Sequence, residues 1–125
     1  MQLKKWLEMM NIATSFIRVN RLKEYIYKLT LIHRLLKTEN WTKSDEEITA
    51  DHFSYLKDLL EKDQLILAGK TAGLDTDTYG LVLFKAANYD EAMKIMKNDP
   101  AVQNGIMSGY LQEYSIALLN NRFKK

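Results

Sequence analysis

Between Tyr25 and Ile32 the side chains alternate with a period of two. Tyr25, Tyr27, Leu29 and Leu31 point one way, and Ile26, Lys28, Thr30 and Ile32 the other. That alternation predicts a strand with one strongly apolar face and one mixed face. Thr38 to Lys43 follows as a polar connection carrying Trp41. Ser44-Asp45-Glu46-Glu47 reads as a capping box, with Ser44 as N-cap and Glu47 three residues on. The helix it opens sets Ile48, His52, Tyr55, Leu56 and Leu59 along one stripe.

Leu65 to Ala68 is an apolar run closing at Gly69, long enough for a strand and too short for a helix. Gly73, Asp75, Asp77 and their threonines mark a turn-rich loop before a further strand, Leu81 to Ala86. Asn88 and Glu91 repeat the cap signal ahead of a short helix whose apolar positions are Ala92, Met93, Ile95 and Met96. Asp99-Pro100 ends that helix, because proline disfavours helical geometry in the residue before it. Residues 101–105 are a brief connection, Ile106 to Leu119 reads as the last strand, and Asn120 to Lys125 as a polar tail. The order is strand, helix, strand, strand, helix, strand, which predicts an α+β, ferredoxin-like βαββαβ fold with both helices on one face of an antiparallel sheet. Apolar residues on the other face suit a partner subunit or a ligand cleft better than open water.

Residues 1–20 stand apart as an N-terminal extension. Leu3, Trp6, Leu7, Met10, Ala13 and Ile17 recur at helical spacing and predict an amphipathic helix. Glu8 and the modest basic charge favour packing on the protein over a membrane surface. Residues 21–125 then form one domain.

Composition narrows the chemistry. The 125 residues carry a formal net charge of +2 with acids and bases intermixed, which gives no field for nucleic acid. The chain has no cysteine, so disulfides, thiolate metal sites and cysteine nucleophiles are excluded. No apolar run is long enough to span a bilayer, and Glu8, Asn11 and Arg18 interrupt any signal-peptide core, so the expected location is cytoplasmic. His33 and His52 lie far apart with no metal-ligand spacing, Gly69, Gly73 and Gly80 lack phosphate-loop spacing, and no serine sits in a nucleophile elbow. The expectation is a protein that uses no metal or other cofactor.

His52 is the sharpest single feature. It occupies an apolar helical stripe, where an imidazole needs hydrogen-bond partners or a wet pocket. It reads as a general acid or base oriented by an aspartate, Asp75 or Asp99, or as a structural histidine. Asp75 and Asp99 each have an alternative role as turn formers. Arg34 is a candidate for holding an anionic substrate, against a surface ion pair. Trp41 is a candidate for lining a pocket mouth, against covering a core edge.

Several segments resemble one family. Tyr25-Ile-Tyr-Lys-Leu-Thr-Leu-Ile-His-Arg-Leu35 resembles the first strand of YciI-like proteins, and Asp51-His52-Phe53-Ser54-Tyr55-Leu56 their helix signature. Leu65-Ile66-Leu67-Ala68-Gly69 is similar to their second strand, Asp75 to a loop aspartate, and Asn98-Asp99-Pro100-Ala101-Val102 with Gly105 to a later segment. The resemblance spans about residues 24–119. It implies the dimeric α+β barrel superfamily, a homodimer, and a small-molecule site centred on His52 with an acidic partner. The other reading open at this point is a non-catalytic module for ligand binding or dimerisation. Two features depart from the family pattern: the N-terminal extension, and Thr49 where many members carry an arginine.

Overall fold

The computed structural model describes residues 22–123, so the helix expected over residues 1–20 lies outside the described residues. Four strands form one antiparallel sheet: β1 (Lys23–Leu31), β2 (Leu65–Lys70), β3 (Gly80–Ala86) and β4 (Met107–Tyr114), in the spatial order β2-β3-β1-β4. Three α-helices accompany them, α1 (Lys43–Glu61), α2 (Tyr89–Asn98) and the single turn α3 (Pro100–Gln103), with two short 3-10 turns, His33–Leu36 and Thr38–Asn40, between β1 and α1. This is the α+β, ferredoxin-like arrangement that the element order predicts.

The period-two pattern of β1 decides which face is core. Tyr25, Tyr27 and Leu29 are buried and pair across with Phe84, Val82 and Gly80 of β3. With Leu56 and Leu59 of α1, Ala92 and Met96 of α2, and Leu111 of β4 they form one apolar cluster. The Tyr27 and Phe84 rings meet edge to face, 5.6 Å between centroids. A second cluster of Leu35, Ala101 and Ile106 joins the chain after β1 to α3. Gly109 of β4 lets α2 come close, since a Cβ there would lie 2.8 Å from Met96 Sδ.

Strand ends shift by one or two residues in β1, β2 and β3, and three larger differences from the sequence pattern stand out. The cap of α1 is Thr42, not Ser44. Thr42 accepts from the Asp45 backbone N–H, and the Asp45 carboxylate accepts from the Thr42 N–H at 2.8 Å. The same box chemistry therefore sits two residues earlier, where Arg34 grips Asp45. The stretch after Asp99 is a helical turn rather than a plain connection, with Asp99 as its cap and Pro100 in the first turn. The last strand stops at Tyr114, five residues short of Leu119, because Tyr114 pairs with Glu24 at the start of β1 and the ladder ends there.

Candidate active site

Asp99 is where the fold converges. It lies between α2 and α3, is fully buried, and its carboxylate has three donors. Tyr27 Oη of β1 donates to Oδ2 at 2.7 Å, the Ala101 backbone N–H donates to Oδ1 at 3.0 Å, and His52 Nδ1 of α1 meets Oδ1 at 2.6 Å. A buried carboxylate is tolerated only when its oxygens are satisfied in this way. An ionised carboxylate only accepts, so His52 Nδ1 is the donor to it and Nε2 is the ring nitrogen that Asp99 leaves free.

His52 differs from Asp99 in exposure. Its side chain is 14% exposed, against 0% for Asp99. Among the described residues, Nε2 makes no hydrogen bond, and no buried side-chain nitrogen or oxygen lacks a partner. Nε2 therefore opens outward. His52 also lines a cavity of about 690 Å³ between α1, the β2–β3 pair and the loop joining those two strands, with Trp41 and Met107 on its wall. The wall is overwhelmingly apolar, and Thr49, Phe53, Leu56 and Leu60 continue the His52 face of α1 along it. A general acid or base needs this combination: one ring nitrogen fixed by a sealed carboxylate, the other available to a ligand.

Two tyrosines stabilise the surroundings. Burial, and then the charge of Asp99, pushes the Tyr27 phenol far above its ordinary value, so Tyr27 remains a donor to the carboxylate. Tyr55 donates to the Ile95 carbonyl at 2.7 Å and ties α1 to α2. Burial first, then Asp99 and Asp58, pushes its phenol up to about 12.

The other residues marked in the sequence are placed differently. Asp75 is exposed, and its Oδ1 accepts from the Asp77 backbone N–H at 2.8 Å and from Thr78 Oγ1 at 3.3 Å. It joins its own loop together and makes no bond to His52. Arg34 forms a fork onto Asp45, both contacts 2.7 Å, and also donates to the Asn40 carbonyl. That pair holds the Asp45 carboxyl well below the usual carboxylate range. Arg34 does not line the cavity, whereas Trp41 does, its Nε1 held by the Leu35 carbonyl at 2.9 Å. Among the described residues no group of three or more His, Cys, Asp or Glu is placed to hold a metal. Sequence reasoning missed Tyr27, which the strand pattern placed on the core face as packing. The available signal was its hydroxyl, since a tyrosine on a sealed face needs a hydrogen-bond partner.

The YCII-related domain family matches residues 30–114, most of the chain, with His52, Asp99 and Trp41 inside the match and Tyr27 before it. The chain belongs to that family. No curated protein matches the sequence of this YCII-related chain. Among solved structures it is similar to 5-chloro-2-hydroxyhydroquinone dehydrochlorinase (TftG) from Burkholderia phenoliruptrix AC1100, in complex with 2,5-dihydroxybenzoquinone. The identity is 21%, the match covers 74% of this chain and 93% of that one, and the TM-score is 0.56. At that identity the likeness establishes a shared fold. No helix among the described residues of this YCII-related domain is long and apolar enough to cross a membrane.

Proposed function

We propose that this chain is a small-molecule enzyme in which His52, oriented by Asp99, transfers a proton to or from an organic substrate seated in the apolar cavity. The observation that carries this reading is the 2.6 Å contact between His52 Nδ1 and a fully buried Asp99, on a histidine that lines the cavity and whose other ring nitrogen has no partner among the described residues. A histidine that only packed would have both nitrogens satisfied inside the protein. The reaction class is proton abstraction or donation at carbon or oxygen, as in an isomerase or lyase, with no cofactor required for that step. The name of the structural neighbour, a dehydrochlorinase, is chemistry of the same kind. Asp99 rather than Asp75 is the orienting carboxylate, and Trp41 closes one wall. The working unit is a cytoplasmic homodimer.

The test compares the wild type with His52→Gln on a panel of enolisable ketones and chlorinated hydroquinones in deuterated buffer. Proton NMR follows C–H exchange, and a chloride electrode follows dehalogenation. General acid–base assistance is worth about 10²–10⁴-fold. The expected result is turnover of at least one panel member that falls by that factor in His52→Gln at unchanged melting temperature. Equal turnover in the two proteins would refute the assignment. A wild type inert across the panel would leave a binding module as the better reading.

A further inference from the structure

The cavity has a chemical signature beyond its histidine. Phe53, Leu60, Leu67 and Leu74 are exposed large apolar side chains at 68%, 53%, 50% and 37%, and all four line it. Scattered exposed apolar residues need no explanation, but a convergent set marks a surface that a ligand covers. The charged groups on the same wall are equally selective. Lys57 of α1 and Lys70 of β2 line the cavity, and no aspartate or glutamate does. The whole chain has 18 basic and 16 acidic residues, so an acid-free wall is a local feature. Among the described residues neither lysine forms an ion pair. Lys70 Nζ donates to the Thr71 carbonyl and Lys57 is exposed. The nearby carboxylate of Asp99 is sealed and spends its acceptors on three donors.

We infer that the site is selective for a hydrophobic organic acid, a ring-sized apolar body bearing one anionic oxygen group. The body lies against the leucines and Phe53. The anionic group is drawn to the lysine-bearing rim, where both ammonium groups are free of acidic partners. A cationic ligand would meet two like charges and no counter-ion. A neutral polar metabolite would desolvate its hydroxyls against an apolar wall with few partners. The cavity volume lies within the ~300–1,000 Å³ range of small-molecule sites, which fits a one- or two-ring body. This inference deepens the proposed function and rests on the cavity being the substrate site.

The experiment is calorimetric titration of the full-length protein with 2-naphthoate, 2-naphthalenemethanol and 2-naphthylmethylammonium, three probes sharing one body and differing in charge. Exposed ion pairs are individually weak, so the two lysines together give about tenfold tighter binding of the carboxylate than of the alcohol at low salt. The ammonium probe is expected to bind weakest. Added salt shrinks the carboxylate's advantage, and Lys57→Met with Lys70→Met brings it to within about threefold of the alcohol. Both positions are exposed and methionine keeps most of each stem, so the double variant folds. Equal affinity for the three probes, preference for the ammonium, or no binding of any probe overturns the inference. The two proposals fail separately. Carboxylate selectivity in a protein that exchanges no protons sinks the enzymatic reading alone, and proton exchange without carboxylate selectivity sinks this one alone.

Discussion

At the scale of single residues, Asp99 carries two roles that compete for its oxygens. It caps α3 through the Ala101 N–H and also anchors His52 and Tyr27. Removing it costs a helix cap, about 1 kcal/mol, and strands a buried phenol hydroxyl, about 1–3 kcal/mol more. Asp99→Ala is therefore expected to lose about 2–4 kcal/mol in urea unfolding. Tyr27→Phe loses about 1.5 kcal/mol, and His52→Gln less than about 1 kcal/mol because the glutamine amide N–H still offers Asp99 a donor and the open side costs little to change. A His52 variant as unstable as the Asp99 variant would make the histidine structural. The ranking also explains why His52, and not Asp99, is the clean probe of chemistry. His52 was legible in the sequence because an imidazole on an apolar stripe stands out. Its partner was legible only as one of two aspartates, since spacing carries no distance. Asp99 ahead of Pro100 read as a turn former, and it is one. The fold gives the same carboxylate a second use that local pattern cannot encode.

Individual elements show where short-range rules hold and where tertiary contacts decide. Helix α1 ends in a Schellman arrangement, with Gln64 N–H bonded to Leu59 O and Asp63 N–H to Leu60 O. The residue in the left-handed position is Asp63, at φ 59°, where glycine would carry no Cβ penalty. Asp63→Gly is expected to stabilise the protein by about 0.5–1 kcal/mol, read as a raised urea midpoint at unchanged slope. An unchanged or lowered midpoint would show that the aspartate carboxylate offsets its strain. At the other end of α1, two overlapping box patterns compete, and Arg34 favours the earlier one by clasping Asp45. Its hydrogen bonds, and then those from Thr42, hold the Asp45 carboxyl low. A depressed carboxyl contributes stability in full above its unfolded value of ~3.9 and loses it as pH falls toward the folded value. The melting temperature should therefore drop on acidification below about pH 4, and Asp45→Asn should flatten that limb while lowering the plateau at pH 7. A parallel shift of the whole curve would put the acid sensitivity elsewhere. The pair also shows why Arg34, reasonable as an anion ligand in sequence, is committed to the N-terminus of α1.

For the molecule as a whole, the order of elements was readable because each strand and helix carries its own periodicity. The ends of β4 were not readable, because a strand stops where its neighbour does. What lies across the sheet from the helices follows from the same registers. Ile26 pairs with Leu83 and Gln112, and Lys28 with Leu81 and Tyr110, so this face mixes apolar and polar side chains. Tyr110 and Tyr114 are 62% and 45% exposed on it. Among the described residues helices cover only one face, and a four-stranded sheet with aromatic side chains on its open face is stabilised by a second layer. In the proposed homodimer a second copy packed sheet to sheet would supply that layer with two-fold symmetry, and about 800 Å² per partner is the usual size of such an interface. Sedimentation equilibrium should give twice the 14.6 kDa chain mass at micromolar protein. Ile26→Asp with Tyr110→Asp should give the single-chain mass with native circular dichroism, because two carboxylates on each face would meet their own images across the axis. A double variant that remains dimeric would move the interface off this face and leave the open side of the sheet to some other layer.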